Sequence, residues 1–208
     1  LFLFVDLLIV YDNSFDGTLE FLKEFEKKNY FLRLVVRKKK LGLDTAHKFA
    51  FDYAIKNNYA NLITLDADLS HEPELIPKFV EKLRKNYFVI GSRYMDGGSC
   101  DMKGFRLFLS IYGNIFIKKM LKINSTEFTT SYRGFDRKVL ENLEKIKIKS
   151  TGYSFFMETI FQINRSNIEI AQIPIHFKDR ISGKSKIPKI EIFRTFFYVF
   201  RLKFFDQI

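Results

Sequence analysis

Apolar runs of strand character alternate with amphipathic helical stretches through the first half of the chain, and this alternation constrains the fold more than any single motif. DLLIVYD, FLRLVV, NLITLD and YFVIGSRY are short, nearly continuous apolar segments of the kind buried on both faces of a sheet. Between them lie TLEFLKEFEKK, with Leu19, Leu22 and Phe25 (and Phe21) at helical spacing, and TAHKFAFDYAIK, with Ala46, Phe49, Ala50 and Tyr53 on one face. EPELIPKFVEKLRK places Pro73 near the first turn of a third helix. The order predicts an α/β domain, a Rossmann-like and mainly parallel sheet flanked by helices, with its ligand site at the C-terminal ends of the strands.

The second half is less regular. RLFLSIYGNIFIKKML, VLENLEKI and YSFFMETIFQINR read as helices, and the polar stretch NSTEFTTSYRGFD separates the first two. IEIAQIPIHF reads as a strand pair broken at Pro174, and DRISGKSKIP as a basic loop. The chain is expected to divide into a domain over residues 1–187 and a C-terminal amphipathic helix over 188–208. In that helix Phe193, Phe196, Phe197, Phe200 and Phe204 form one stripe, with Glu191, Arg194, Tyr198 and Arg201 opposite.

Composition narrows the partners. With 208 residues the chain can bury one substantial core. Its formal charge of +11 fits nucleic acid, an anionic lipid surface or phosphorylated small molecules. No zinc-finger spacing and no aromatic RNA-binding signature is present, so no nucleic-acid partner is expected. Cys100 is the only cysteine, which excludes an internal disulfide and points to a reducing, cytoplasmic setting. No signal-peptide pattern is visible, and no apolar run approaches the roughly 18 residues of a membrane span.

Three sets of residues carry chemistry. Asp66 and Asp68 flank Ala67 at the end of an expected strand, and a spacing of two along an extended chain points both side chains the same way. Their hard oxygens suit Mg²⁺ or Mn²⁺, though a helix-capping turn is the plainer alternative. Asp12 ends another strand, in a turn rich in Asn, Asp and Gly, where a carboxylate can accept from the edge of a nucleobase or cap a helix. Arg180, Lys184 and Lys186 surround Gly183 in a loop that either closes over a diphosphate or is simply solvated. Arg93, in GSRY, adds a cation at a strand end.

The motifs VYDNSFDGT, LGLDTAHKFAFDYA, LDADLSHEPELIP, VIGSRYMDGG, TTSYRGFDRKVLE, STGYSFFMETIF and IPIHFKDRISGKSK occur in the order found in dolichol- and polyprenol-phosphate mannosyltransferases. Over roughly residues 6–190 the chain resembles these inverting family 2 glycosyltransferases of GT-A fold. The resemblance implies that Val10 and Asp12 contact the base, and that Asp66, Ala67 and Asp68 hold nucleotide and metal, with Asp68 the principal ligand. Arg93 and Arg106 match basic positions near the donor and acceptor phosphates, and Arg180 and Lys186 match the loop covering the nucleotide. Glu158 matches an acidic position whose role stays open. Four features depart from the family, one being Tyr11-Asp12 where a pair of aspartates is usual. Its opening strand, with a Pro-x-Tyr-Asn-Glu motif that wraps the base, has no counterpart in this sequence. Ser70 stands where some relatives place a metal-ligating Gln, and Ile111 where an Arg is usual.

The expected activity is transfer of a hexose, mannose from GDP-mannose before others, to a polyprenyl or dolichyl phosphate at the cytoplasmic face of a membrane. Peripheral contact with anionic lipid would run through the C-terminal helix. Transfer to a soluble glycan hydroxyl and nucleotide-sugar binding without turnover are the alternatives. A phosphate monoester with a second pKa of about 6 is already nucleophilic at neutral pH, so His47, His71 and His176 are expected to be structural.

Overall fold

The computed structural model of the chain describes residues 5–12, 16–179 and 189–205. Its first half follows the alternation read from sequence: β1 (Leu7–Tyr11), α1 (Thr18–Lys28), β2 (Leu32–Val36), α2 (Leu43–Lys56), β3 (Asn61–Thr64), a 3₁₀ turn at Pro73–Leu75, α3 (Ile76–Leu83) and β4 (Phe88–Ser92). There follow β5 (Ser99–Cys100), α4 (Gly104–Leu121), β6 (Arg133–Asp136), α5 (Arg137–Ile146), α6 (Ser154–Arg165), β7 (Ile170–Pro174), β8 (His176–Phe177) and α7 (Lys189–Phe204).

The strands form three ladders. β1 and β2 pair in parallel, and so do β5 and β8. The central sheet has the order β3-β6-β4-β7, with β6 antiparallel to both neighbours and β7 parallel to β4. Among the described residues no backbone pairing joins β1·β2 to the central sheet. They are linked instead by α2, which packs against both β1 and β3. As a crossover helix, α2 starts beside the end of β2 and returns the chain to where β3 begins. The C-terminal ends of β1, β2 and β3 therefore lie at its N-terminal end.

Two expectations need correction. The stretch NSTEFTTSYRGFD contains β6, a strand in the middle of the sheet. Gly134 permits it, because a Cβ there would lie 3.0 Å from Leu83 Cδ1 and 3.2 Å from Phe79 Cδ1. α2 also buries a different face from the one its apolar residues indicated. Asp44, His47, Phe51 and Ala54 point inward, while Phe49 is exposed.

The larger core cluster includes Phe88, Phe135, Phe155, Phe156, Val199 and Leu202. α7 thus contributes to the main core through Val199 and Leu202, and the Tyr198 hydroxyl donates to Glu158 at 2.9 Å. Tyr198, expected on the face opposite the Phe stripe, is half-buried against Glu158. Of the aromatic stripe, Phe197, Phe200 and Phe204 are exposed, while the Phe193 side chain lies outside the described residues.

Candidate active site

β1 delivers Asp12 to the C-terminal end of its ladder, where the expected turn continues into residues 13–15, outside the described residues. The carboxylate accepts from Arg37, which follows β2 and whose own N–H is bonded to the Tyr11 carbonyl at 2.8 Å. Arg37 also donates to Thr45 Oγ1 at 2.7 Å, tying the pair to the first turn of α2. Val10 lies half-buried one pair earlier, opposite Val35. Sequence reasoning missed Arg37, although a cation ending an apolar run is the signal that marked Arg93.

The Asp66–Asp68 segment does not continue the strand. β3 ends at Thr64, and the chain turns on itself, with Leu69 at φ 65°, a left-handed conformation uncommon for a bulky residue. The Asp66 and Asp68 side chains are therefore placed by a turn, not by the pleat of an extended chain. Asp66 Oδ1 accepts from Ser131 Oγ at 2.6 Å, and its backbone N–H donates to His71 Nδ1 at 3.0 Å. Asp68 Oδ1 accepts from the Ser70 N–H at 3.1 Å and from its hydroxyl at 2.5 Å. Burial holds the His71 imidazole below its ordinary pKa, against the pull of Asp66 and Asp68.

These donors suit a hard divalent cation. Two half-buried carboxylates offer oxygen ligands, and among the described residues no cluster of three or more His, Cys, Asp or Glu could cage a metal unaided. Such a partial shell fits Mg²⁺ or Mn²⁺, which completes its coordination with water and phosphate oxygens.

β4 ends at Ser92 and presents Arg93, which the fold buries to 8% exposure. Its Nε donates to Glu127 Oε2 at 2.7 Å and its Nη2 to Glu127 Oε1 at 2.8 Å and Thr129 Oγ1 at 2.7 Å. The guanidinium also lies over Phe177, 5.3 Å from the ring centroid. Burial opposes both charges, yet mutual attraction and hydrogen bonding prevail. Arg93 is held above its ordinary pKa, and the Glu127 carboxyl below the usual carboxylate range. Glu127 and Thr129 were invisible as site residues in a polar stretch without periodicity.

Arg106, in the first turn of α4, has Nη1 3.6 Å from Asp179 Oδ1 and a buried Nε without a hydrogen-bond partner. An orphaned donor of this kind is expensive to maintain unless something binds it. Asp179 lies just after β8, and the intervening Lys178 donates its N–H to the Ser70 carbonyl at 3.1 Å, so the acidic turn and the root of the basic loop are tied together. Arg180 and Lys186 lie outside the described residues.

Glu158 belongs elsewhere. It is 3% exposed and accepts from the Lys149 and Ser150 N–H groups and from the Tyr198 hydroxyl. Its carboxylate fastens the 149–150 loop and α7 to α6.

The family model described as glycosyl transferase family 2 matches residues 2–144. The chain belongs to glycosyl transferase family 2. Over 183 residues it is 32% identical to the undecaprenyl-phosphate mannosyltransferase of Micrococcus luteus, covering 88% of this chain and 75% of that protein. It is 30% identical over 198 residues to the polyprenol monophosphomannose synthase of Mycolicibacterium smegmatis, with 94% and 75% covered. The dolichol-phosphate mannosyltransferase of Saccharomyces cerevisiae is 30% identical over 187 residues, with 88% and 68% covered. The fold is that of the GT-A glycosyltransferases. Glucosyl-3-phosphoglycerate synthase from Mycobacterium tuberculosis, in complex with Mn²⁺, uridine diphosphate and glucosyl-3-phosphoglycerate, superposes with a TM-score of 0.63 at 14% identity. That match covers 95% of this chain and 68% of the synthase.

Proposed function

We propose that this family 2 glycosyltransferase moves a hexose, mannose from GDP-mannose, onto a polyprenyl phosphate with inversion at the anomeric carbon. The observation that carries this reading is an acidic turn (Asp66, Asp68) after β3 and a cation (Arg93) after β4, two strands separated in the sheet by β6, with Arg106 added from the first turn of α4. The names of the mannosyltransferase relatives support the acceptor. A divalent ion held by Asp66 and Asp68 would neutralise charge developing on the leaving diphosphate. Asp12, fixed by Arg37, meets the base. Arg106, with its unpartnered Nε, meets a phosphate. The chemistry asks for no general base, because the attacking phosphate monoester has a second pKa of about 6. The histidines nearest the site are already occupied, His71 by Asp66 and Thr130, and His47 by an aromatic box.

Access to a lipid acceptor is supported by α4 and α7, which pack together through Phe116 against Phe196 and Phe200. Phe105, Phe108 and Tyr112 on α4 and Phe197, Phe200 and Phe204 on α7 remain exposed. No helix among the described residues is long and apolar enough to cross a membrane. This aromatic surface, on two helices that also expose Lys118, Lys119, Arg194 and Arg201, is suited to rest in an anionic headgroup region.

Labelled sugar transfer tests the reading. GDP-mannose, Mn²⁺ and polyprenyl phosphate should give label in the organic phase, and Asp68→Asn should abolish it. Label appearing on a soluble glycan in water would move the acceptor, and bound nucleotide sugar without product would reduce the protein to a binder.

A further inference from the structure

We propose that His71 is a positioning residue for the acidic turn: its ring acts as a rigid two-ended brace between Asp66 and the segment leading into β6. The inference rests on the assignment of Asp66 and Asp68 to metal and diphosphate.

The brace is built from both ring nitrogens. Nδ1 receives the Asp66 N–H at 3.0 Å, so that nitrogen carries its lone pair and the proton sits on Nε2. Nε2 faces Thr130 Oγ1 at 3.2 Å, and that hydroxyl oxygen also accepts from the Tyr132 N–H. The neighbouring Ser131 donates its hydroxyl to Asp66 Oδ1 at 2.6 Å. Asp66 is therefore held at its backbone by His71 and at its carboxylate by the residue next to Thr130. Few other side chains could span the two segments in one rigid plane.

The need for a brace follows from charge. Asp66 and Asp68 repel one another until a cation arrives, and the turn between them and His71 contains Leu69 in a left-handed conformation. A loosely held turn would relax by separating the carboxylates. The ring opposes this from a site 2% exposed, packed on Tyr132 with centroids 5.0 Å apart and edge-on to Phe177 at 5.4 Å. Phe177 is two residues before Asp179, the residue paired with Arg106. The brace thus also touches the strand that sets the root of the basic loop.

Replacing each end of the ring separately distinguishes positioning from simple core filling. Asn offers an acceptor where Nδ1 stood but cannot reach Thr130, whereas Gln places its amide near Nε2 and leaves the Asp66 N–H without its acceptor. In the 208-residue chain, His71→Gln should weaken Mn²⁺ binding in the presence of GDP by roughly tenfold, the low end of losses seen for outer-shell ligand partners. His71→Asn, which keeps an acceptor for the Asp66 N–H but loses Thr130, should weaken binding less than His71→Gln does, and both variants melt lower. In the metal-free protein the Asp66 amide should exchange hydrogen faster in His71→Gln than in His71→Asn. Equal amide protection in the two variants, or equal Mn²⁺ affinities, would overturn the proposal. If the parent binds neither Mn²⁺–GDP nor Mn²⁺–UDP but the exchange difference remains, the brace stands and the metal-dependent reading of the site fails.

Discussion

The Arg93 guanidinium forks onto the Glu127 carboxylate, Nε to Oε2 and Nη2 to Oε1, beneath a surface that leaves Glu127 wholly buried. Three of the five N–H donors of Arg93 are spent on Glu127 and Thr129. Any anion must approach from the Nη1 side. Removing one partner strands the other charge in the interior, which typically costs about 3–5 kcal/mol. Glu127→Gln should therefore lower the unfolding free energy by about 3 kcal/mol in urea titrations. A loss below 1 kcal/mol would mean that the pair is not an anchor.

Arg37 does for Asp12 what Glu127 does for Arg93. It fixes the carboxylate's direction while tying it to Thr45 at the start of α2. If Asp12 reads the base, Arg37→Ala should weaken GDP binding about tenfold, in line with the roughly 1.5 kcal/mol of a hydrogen bond to a charged group. Arg37→Lys should recover little, since an ammonium cannot reproduce the planar fork. Calorimetric titration with GDP and Mn²⁺ checks both. Parent-like affinity in Arg37→Ala would remove Asp12 from the base pocket.

What sequence showed of this molecule depended on whether the partners of a residue are local. The alternation of strand and helix was legible because burial between helices leaves a periodic trace. The inward face of α2 was not. Asp44 is buried because the Gly152 N–H, 108 residues away in the chain, donates to it at 3.0 Å. β6 was read as a polar loop because its opening residue is Arg133, whose guanidinium is fully buried and donates to the carbonyls of Thr130, Phe156 and Phe128. Asp66 and Asp68 were identified by type and spacing, but the Ser131 and His71 contacts that hold Asp66 arise from a segment distant in the chain and from the turn itself.

His47 supplies a pH dependence whose sign can be worked out. Burial and the nearby charge of Arg133 depress its pKa from 6.5 to about 3. In the folded protein it stays neutral where the unfolded chain takes up a proton. Its contribution is fully present above pH 6.5 and is lost as pH falls toward 3, with a limiting slope of about 1.4 kcal/mol per pH unit. His47→Phe, placed among Phe51, Phe155 and Phe156, should flatten the decline in stability between pH 6.5 and 4.5. An unchanged slope in that variant would assign the acid sensitivity to carboxylates instead.

α7 serves two surfaces, and point substitutions can separate them where truncation cannot. Val199 and Leu202 are fully buried, so deleting the helix would open the core as well as remove its aromatic face. Phe197 and Phe204, 74% and 63% exposed, touch the core least and are free to enter a lipid headgroup layer. Full burial of a Phe is worth roughly 1.5–3 kcal/mol. With immersion to about half that depth, replacing both by Ser should weaken partitioning onto anionic liposomes about tenfold or more, while the melting temperature changes little. Val199→Ser should do the reverse, lowering the melting temperature and leaving the partitioning of the folded protein intact. The exposed basic residues of the same helix, Arg194 and Arg201, add attraction that salt screens, whereas the lost aromatic burial is not screened, so the defect of the double variant should persist in high salt. Cosedimentation of all three proteins at two salt concentrations is the measurement. Parent-like pelleting of the Phe197→Ser, Phe204→Ser protein would place membrane contact, if any, on a surface other than this helix.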